Sequence, residues 1–160
     1  MSYECIKVTK QNHVTSVLLN RPDALNAITP EMHHELQDAF DVFSKDENEF
    51  VAVIRGAGDR AFCAGSDLKT IAAGGFKAYP KSGYAGLIER FDLNKPLIAA
   101  VDGFALGGGF EVALACDIIV ATHRSSFGLP GPLVGAVALG GGIHRLARQI
   151  GLKQAMGMVL

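Results

Sequence analysis

The residues best placed to do chemistry lie in Ala105-Leu106-Gly107-Gly108-Gly109-Phe110-Glu111-Val112-Ala113-Leu114-Ala115-Cys116. Three glycines followed by a helix-favouring run predict a loop that turns into a helix. The first N–H groups of such a helix have no internal partner, and the helix dipole adds partial positive charge there. Glycine lets the backbone approach a ligand closely. Together these features suit an anion or an oxyanion, and Glu111 stands about one turn further in. Between Leu97 and Ala121 the chain is apolar, its only ionisable acids being Asp102, Glu111 and Asp117. A carboxylate in that setting must be paired, protonated or used in chemistry. A glycine-tightened turn with a structural glutamate is the alternative, and this stretch alone leaves it open.

A second glycine-bearing segment, Ala61-Phe62-Cys63-Ala64-Gly65-Ser66-Asp67-Leu68, follows the apolar run Phe50–Arg55. A strand leading into a glycine loop invites a dinucleotide-binding reading, but the G-x-G-x-x-G and P-loop patterns are missing. The segment is not a G-x-S-x-G elbow either, so Ser66 is a poor serine nucleophile. Cys5, Cys63 and Cys116 are odd in number and widely spaced, which argues against disulfides and a zinc site and fits a reducing, cytoplasmic compartment. His33 and His34 point about 100° apart on a helix, so a metal role is disfavoured and solvated or interfacial histidines are expected. His123 and His144 read as surface or satisfied core residues. The net charge of −1 over 160 residues, with both signs interspersed, leaves no footprint for nucleic acid or anionic membrane. Leu97–Ala121 is long enough to span a bilayer but carries three acids and a glycine triplet, which excludes that reading. The amino terminus lacks the apolar core of a secretory signal.

The elements that must carry these segments follow from pattern. Residues 3–9 and 13–19 predict a β-hairpin. Thr29 predicts an N-cap, with Pro30 at the first position of an amphipathic helix over 30–45. Phe50–Arg55 predicts a strand buried on both faces, and Leu97–Val101 and Asp117–Ala121 predict two more. Strand, glycine loop, helix, strand, occurring twice, implies a largely parallel α/β arrangement. Residues 74–84, from Gly74-Gly75-Phe76 to Tyr84, read as a mobile connection between short helices. Ser125–Gly128 and Pro130-Gly131-Pro132 read as turns, and Gly140-Gly141-Gly142 leads into a final pair of helices. The run ending at Leu160 is apolar, so further chain or another subunit is expected to cover it.

The chain resembles the enoyl-CoA hydratase/isomerase (crotonase) superfamily. The residues that carry the resemblance are Leu19-Asn20-Arg21-Pro22 with Leu25-Asn26-Ala27, Ala61 through Leu68, Lys95-Pro96 through Gly103, Ala105 through Glu111, and Cys116-Asp117-Ile118. They span essentially the whole sequence. The resemblance implies a crotonase-like ββα superhelix forming a single domain over 1–160, one that lacks a C-terminal helical part. It also implies a coenzyme A thioester as substrate, no bound cofactor or metal, and assembly as a trimer or hexamer. Carried onto this chain, the family's oxyanion site is the backbone N–H of Ser66 and of Gly108, and its acid/base is Glu111. Ala64, Gly65, Asp67, Lys69, Gly107 and Gly131 would lie along the substrate, with Lys69 a candidate for coenzyme A phosphate.

One departure stands out. Hydratases of the family carry a second glutamate in F-G-x-P-E, whereas this chain reads Phe127-Gly128-Leu129-Pro130-Gly131. Gly131 cannot transfer a proton. Single-base chemistry fits double-bond isomerisation, or a dehydration that borrows another group. A hydratase of reduced activity and a catalytically silent acyl-CoA-binding module are the alternatives.

Overall fold

The computed structural model of the chain describes residues 3–75 and 78–160. Ile6–Gln11 (β1) and Val14–Leu19 (β2) form the expected antiparallel hairpin, with Ile6 opposite Leu19 and Gln11 opposite Val14. Its two-residue turn, Asn12-His13, has φ of 52° and 65°, the doubly left-handed geometry that matches strand twist. Pro30–Lys45 (α1) begins where predicted, and the Thr29 hydroxyl accepts the Met32 N–H. Met32, Leu36, Ala39, Phe40 and Phe43 form its buried stripe.

The chain then winds in a spiral. Each turn lays one strand in a large sheet, one in a small sheet, and then a helix. The first turn is Val51–Gly56 (β3), Ala61–Cys63 (β4) and Leu68–Ala72 (α2). The second is Leu97–Val101 (β5), Phe104–Leu106 (β6) and Gly108–Ala115 (α3). The third is Ile118–Ala121 (β7), Ser126–Gly128 (β8), a 3-10 turn at Gly131–Val134, then His144–Ile150 (α4) and Leu152–Val159 (α5). The large sheet has the order β1-β2-β3-β5-β7, parallel from β2 onward, and the small one the order β4-β6-β8, parallel throughout. This is the ββα superhelix that the resemblance implied. Among the described residues no helix is long and apolar enough to cross a membrane.

Four expectations change. Neither β3 nor β7 is buried on both faces: in β3 Ala52 and Ile54 are buried while Arg55 is exposed, and in β7 Ile118 and Val120 are exposed. β4 and β8, read as loop and turn, are three-residue strands whose partners are far away in sequence. Residues 80–84, expected in a mobile connection, belong to a tight turn against α1 that continues to Gly86, with Ser82, Tyr84 and Ala85 buried; Phe76 of that connection lies outside the described residues. His33 is neither solvated nor interfacial but 6% exposed, and its Nδ1 accepts the Ala85 N–H at 2.8 Å. In the C-terminal third, Leu133, Leu139, Leu152 and Leu160 are exposed.

His33 gives the fold a pH dependence. Burial, reinforced by neighbouring His34, lowers its pKa to about 4. An unfolded histidine takes up its proton near pH 6.5. Between these values the unfolded chain holds more protons than the native one, so stability falls as pH drops through that window and levels off below it. The expected loss is about 3 kcal/mol between pH 7 and pH 4. Urea unfolding of His33→Gln, which keeps an acceptor but cannot titrate, should show a shallower decline over the same range.

Candidate active site

The loop after β4 and the loop before α3 are brought side by side by backbone contact. Asn26, fully buried, fixes the first from behind, its amide donating to Ala57 O at 2.9 Å and Ala61 O at 2.8 Å while its carbonyl accepts the Arg21 N–H at 3.0 Å. The segment after Asn26 runs along the loop: Ala64 N–H donates to Leu25 O, Ile28 N–H to Gly65 O and Asp67 N–H to Ile28 O, at 2.8–3.0 Å. Gly65 has φ of +92°, and a Cβ there would stand 2.9 Å from Leu106 O and 3.1 Å from the Gly108 nitrogen. Gly109 is packed so closely that a Cβ would overlap the Cys63 carbonyl. Only glycine permits both approaches.

Around this contact most amides are used. Gly107 N–H donates to Gly128 O at 2.9 Å and Glu111 N–H to Gly107 O at 3.0 Å. The N–H groups of Ser66 and Gly108 donate to no acceptor among the described residues. Gly108 is the first residue of α3, so the helix itself offers it no acceptor.

Ser66 and Gly108 line a cleft of about 380 Å³ together with Gly107, Glu111, Tyr79, Tyr84, Leu129 and Gly131. Glu111 is 6% exposed, and its Oε1 accepts the Gly142 N–H at 2.9 Å. Burial raises its pKa, although the N–H groups of Gly142 and Gly140 and the charge of Arg145 pull the other way. The position where a second carboxylate was missed is therefore on the cleft wall. A Cβ at Gly131 would meet the Ala136 carbonyl oxygen at 2.8 Å, so a side chain there requires the 131–136 turn to shift.

The remaining expected residues fall elsewhere. Asp67 caps α2 through the Thr70 N–H and pairs with Arg21 at 2.9 Å, a partnership that lowers its pKa against the effect of burial. Lys69 lines a second, open cleft of about 470 Å³ with Arg21, Arg60, Leu25 and Ala27, and this cleft meets the first at Ser66 and Leu68. Ala64 lies in the loop wall, its amide spent on Leu25. His123 and His144 are exposed, line neither cleft, and need no role. Sequence reasoning missed Tyr79, Tyr84, Arg21 and Arg60. The two tyrosines come from the segment read as a mobile connection, which has no periodic signal to place them.

Residues 9–160 match the family described as enoyl-CoA hydratase/isomerase. The chain belongs to that family. It is 44% identical over 149 residues to the carnitinyl-CoA dehydratase of Proteus mirabilis, covering 92% of this chain and 57% of the relative. The carnitinyl-CoA dehydratase of Escherichia coli K12 is 43% identical over 147 residues, covering 91% and 56%. Among solved structures, a carnitinyl-CoA dehydratase from Mycobacterium avium superposes with a TM-score of 0.91 at 40% identity, covering 97% of this chain and 61% of that one. An enoyl-CoA hydratase from Mycobacterium tuberculosis gives 0.90 at 41% identity, covering 97% and 60%. This enoyl-CoA hydratase/isomerase family chain thus spans less than two thirds of the length of those relatives.

The raised pKa of Glu111 has a stability consequence. The native state holds the carboxyl proton more tightly than the unfolded chain, so the contribution of Glu111 is fully present at acid pH and lost as pH rises through the native pKa. Glu111→Gln keeps an acceptor for the Gly142 N–H and carries no charge to desolvate. At pH 7 its Tm is expected to equal or exceed that of the wild type, and the difference should vanish as the pH is lowered through the carboxyl titration.

Proposed function

We propose that this chain binds an acyl-CoA thioester and moves a proton next to its carbonyl, the N–H groups of Ser66 and Gly108 holding the thioester oxygen and Glu111 carrying the proton. The observation behind this reading is the pair of undonated N–H groups lining one cleft with a buried carboxylate. Removing an α-proton from a thioester builds negative charge on its oxygen, and pre-set N–H donors stabilise that charge, each worth about 10²–10³ in rate. A raised carboxyl pKa suits proton transfer near neutral pH. The coenzyme A portion would extend along the second cleft, where Arg60 and Lys69 offer positive charge to phosphates and Arg21 is paired with Asp67.

A single carboxyl supports two balanced reactions. In dehydration of a 3-hydroxyacyl thioester, Glu111 takes the α-proton and the C–H electrons move into the enolate. The enolate then re-forms the carbonyl and expels the β-oxygen, which receives the same proton and leaves as water. In isomerisation, Glu111 returns the proton at the γ-carbon instead. The names of the relatives, carnitinyl-CoA dehydratase above all, favour the first. A catalytically silent acyl-CoA module draws support from Gly131 and from the Gly142 N–H already occupying Glu111.

Incubation with a short 2-enoyl-CoA and a 3-enoyl-CoA separates these readings. Loss of the conjugated absorbance marks hydration, its appearance from the 3-enoyl substrate marks isomerisation, and binding without turnover marks the silent module. Glu111→Gln should lower turnover about 10²–10⁴-fold with thioester affinity nearly unchanged; an active Gln variant would remove Glu111 from the mechanism. Gly131→Glu is expected to raise hydration only if the turn yields around Ala136. If hydration stays flat in a folded variant, the missing acid is not what limits the reaction.

A further inference from the structure

We propose that Tyr84 is a third donor of the oxyanion site, its phenol O–H directed to the thioester oxygen beside the N–H groups of Ser66 and Gly108. The proposal rests on the reading of that pair given above. The Tyr84 hydroxyl lies 3.1 Å from Ser66 Oγ. It also lies against Gly108, where any Cβ would overlap the phenol oxygen and Cζ. One oxygen therefore touches both residues of the N–H pair, on the wall of the cleft that holds Glu111.

The backbone that presents this hydroxyl is strained and held from behind. Gly83, Ala85 and Gly86 have φ of 73°, 56° and 60°. For Ala85 the left-handed region costs about 1 kcal/mol, a cost that persists only where surroundings over-determine the conformation. Here α1 supplies them. His33 Nδ1 accepts the Ala85 N–H at 2.8 Å and Gln37 Oε1 accepts the Ser82 N–H at 2.9 Å. Arg90, its side chain fully buried and paired with Asp41, donates through Nε to Gly86 O at 3.1 Å.

Packing alone does not require the hydroxyl. The Tyr84 ring meets His33 and Tyr79 edge-on, at centroid distances of 4.5 and 5.6 Å, contacts a phenylalanine would make equally well. A buried hydroxyl without hydrogen bonds is costly. When Ser66 Oγ donates to Tyr84, the phenol proton is free for an acceptor in the cleft. Burial, with the charges of neighbouring groups, keeps the phenol protonated and thus a donor at neutral pH. No proton leaves Tyr84 in the reaction; the hydrogen bond shortens as charge builds on the oxygen.

The test uses Tyr84→Phe in the full-length protein, with a 2-enoyl-CoA carrying ¹³C at the thioester carbonyl. Near-UV circular dichroism and Tm report the fold, calorimetry reports Kd, and difference infrared reports the carbonyl stretch of the bound thioester. A third donor predicts a Kd within about twofold, a stretch moved to higher frequency than in wild type, and turnover lower by about 10²-fold. Site-specific 3-fluorotyrosine at position 84, a stronger donor of nearly the same shape, should move the stretch the other way. If the wild type lowers the carbonyl frequency and neither replacement changes it, Tyr84 is not a donor and the N–H pair stands alone. If the wild type binds the thioester without lowering that frequency, the N–H pair itself fails and the proposal falls with it.

Discussion

The structure depends on one close approach of two backbones. The loop after β4 lies against the first turn of α3 with no side chain between them. Gly65 faces Leu106 O and the Gly108 nitrogen, and Gly109 faces the Cys63 carbonyl. A methyl group at either position would push α3 off the small sheet, separate the two free N–H groups and open the cleft floor. The glycines of both loops therefore serve geometry first. The chemical opportunity follows from it, because amides pressed together at a helix start without protein acceptors are left for a ligand.

The ββα spiral explains why these loops meet. Each turn feeds a strand of the large sheet into a short strand of the small sheet and then into a helix or turn. Parallel pairing of β4, β6 and β8 stacks the ends of successive turns at one edge. Ser66 follows β4, Gly108 follows β6 and Gly131 follows β8, so three consecutive turns present their loops to one cleft. A carboxylate at Gly131 would face that cleft from the third loop. Its absence leaves two acids on the cleft wall among the described residues, Glu111, which is buried, and Glu89, which is exposed.

Behind the cleft, α1 acts as a clamp. His33, Gln37 and Asp41 occupy successive turns of its inner face and bind the segment from Ser82 to Arg90, the first two through backbone amides and the third through the Arg90 guanidinium. His33 does this only while neutral, which explains its burial without a counter-charge. The same clamp fixes Tyr84 in the cleft wall.

The sequence by itself determined much of this protein. Local patterns placed the hairpin, the capped helix at Thr29-Pro30, the parallel strands and the glycine loop before Glu111, because helix caps, alternation and turn residues act within a few positions of themselves. The resemblance to the family, carried here by Phe127 to Pro130, implied an acid at the position that Gly131 occupies. Only the tertiary structure decided what these pieces face. The three-residue strands β4 and β8 carry no period of their own and exist through pairing with distant partners. The burial of His33 depends on the turn at Ala85, 52 residues away. The place of Tyr84 between Ser66 and Gly108 depends on that turn being held against α1. Contacts between segments far apart in sequence leave no local mark, so the glycine loops were legible while the wall that surrounds them was not.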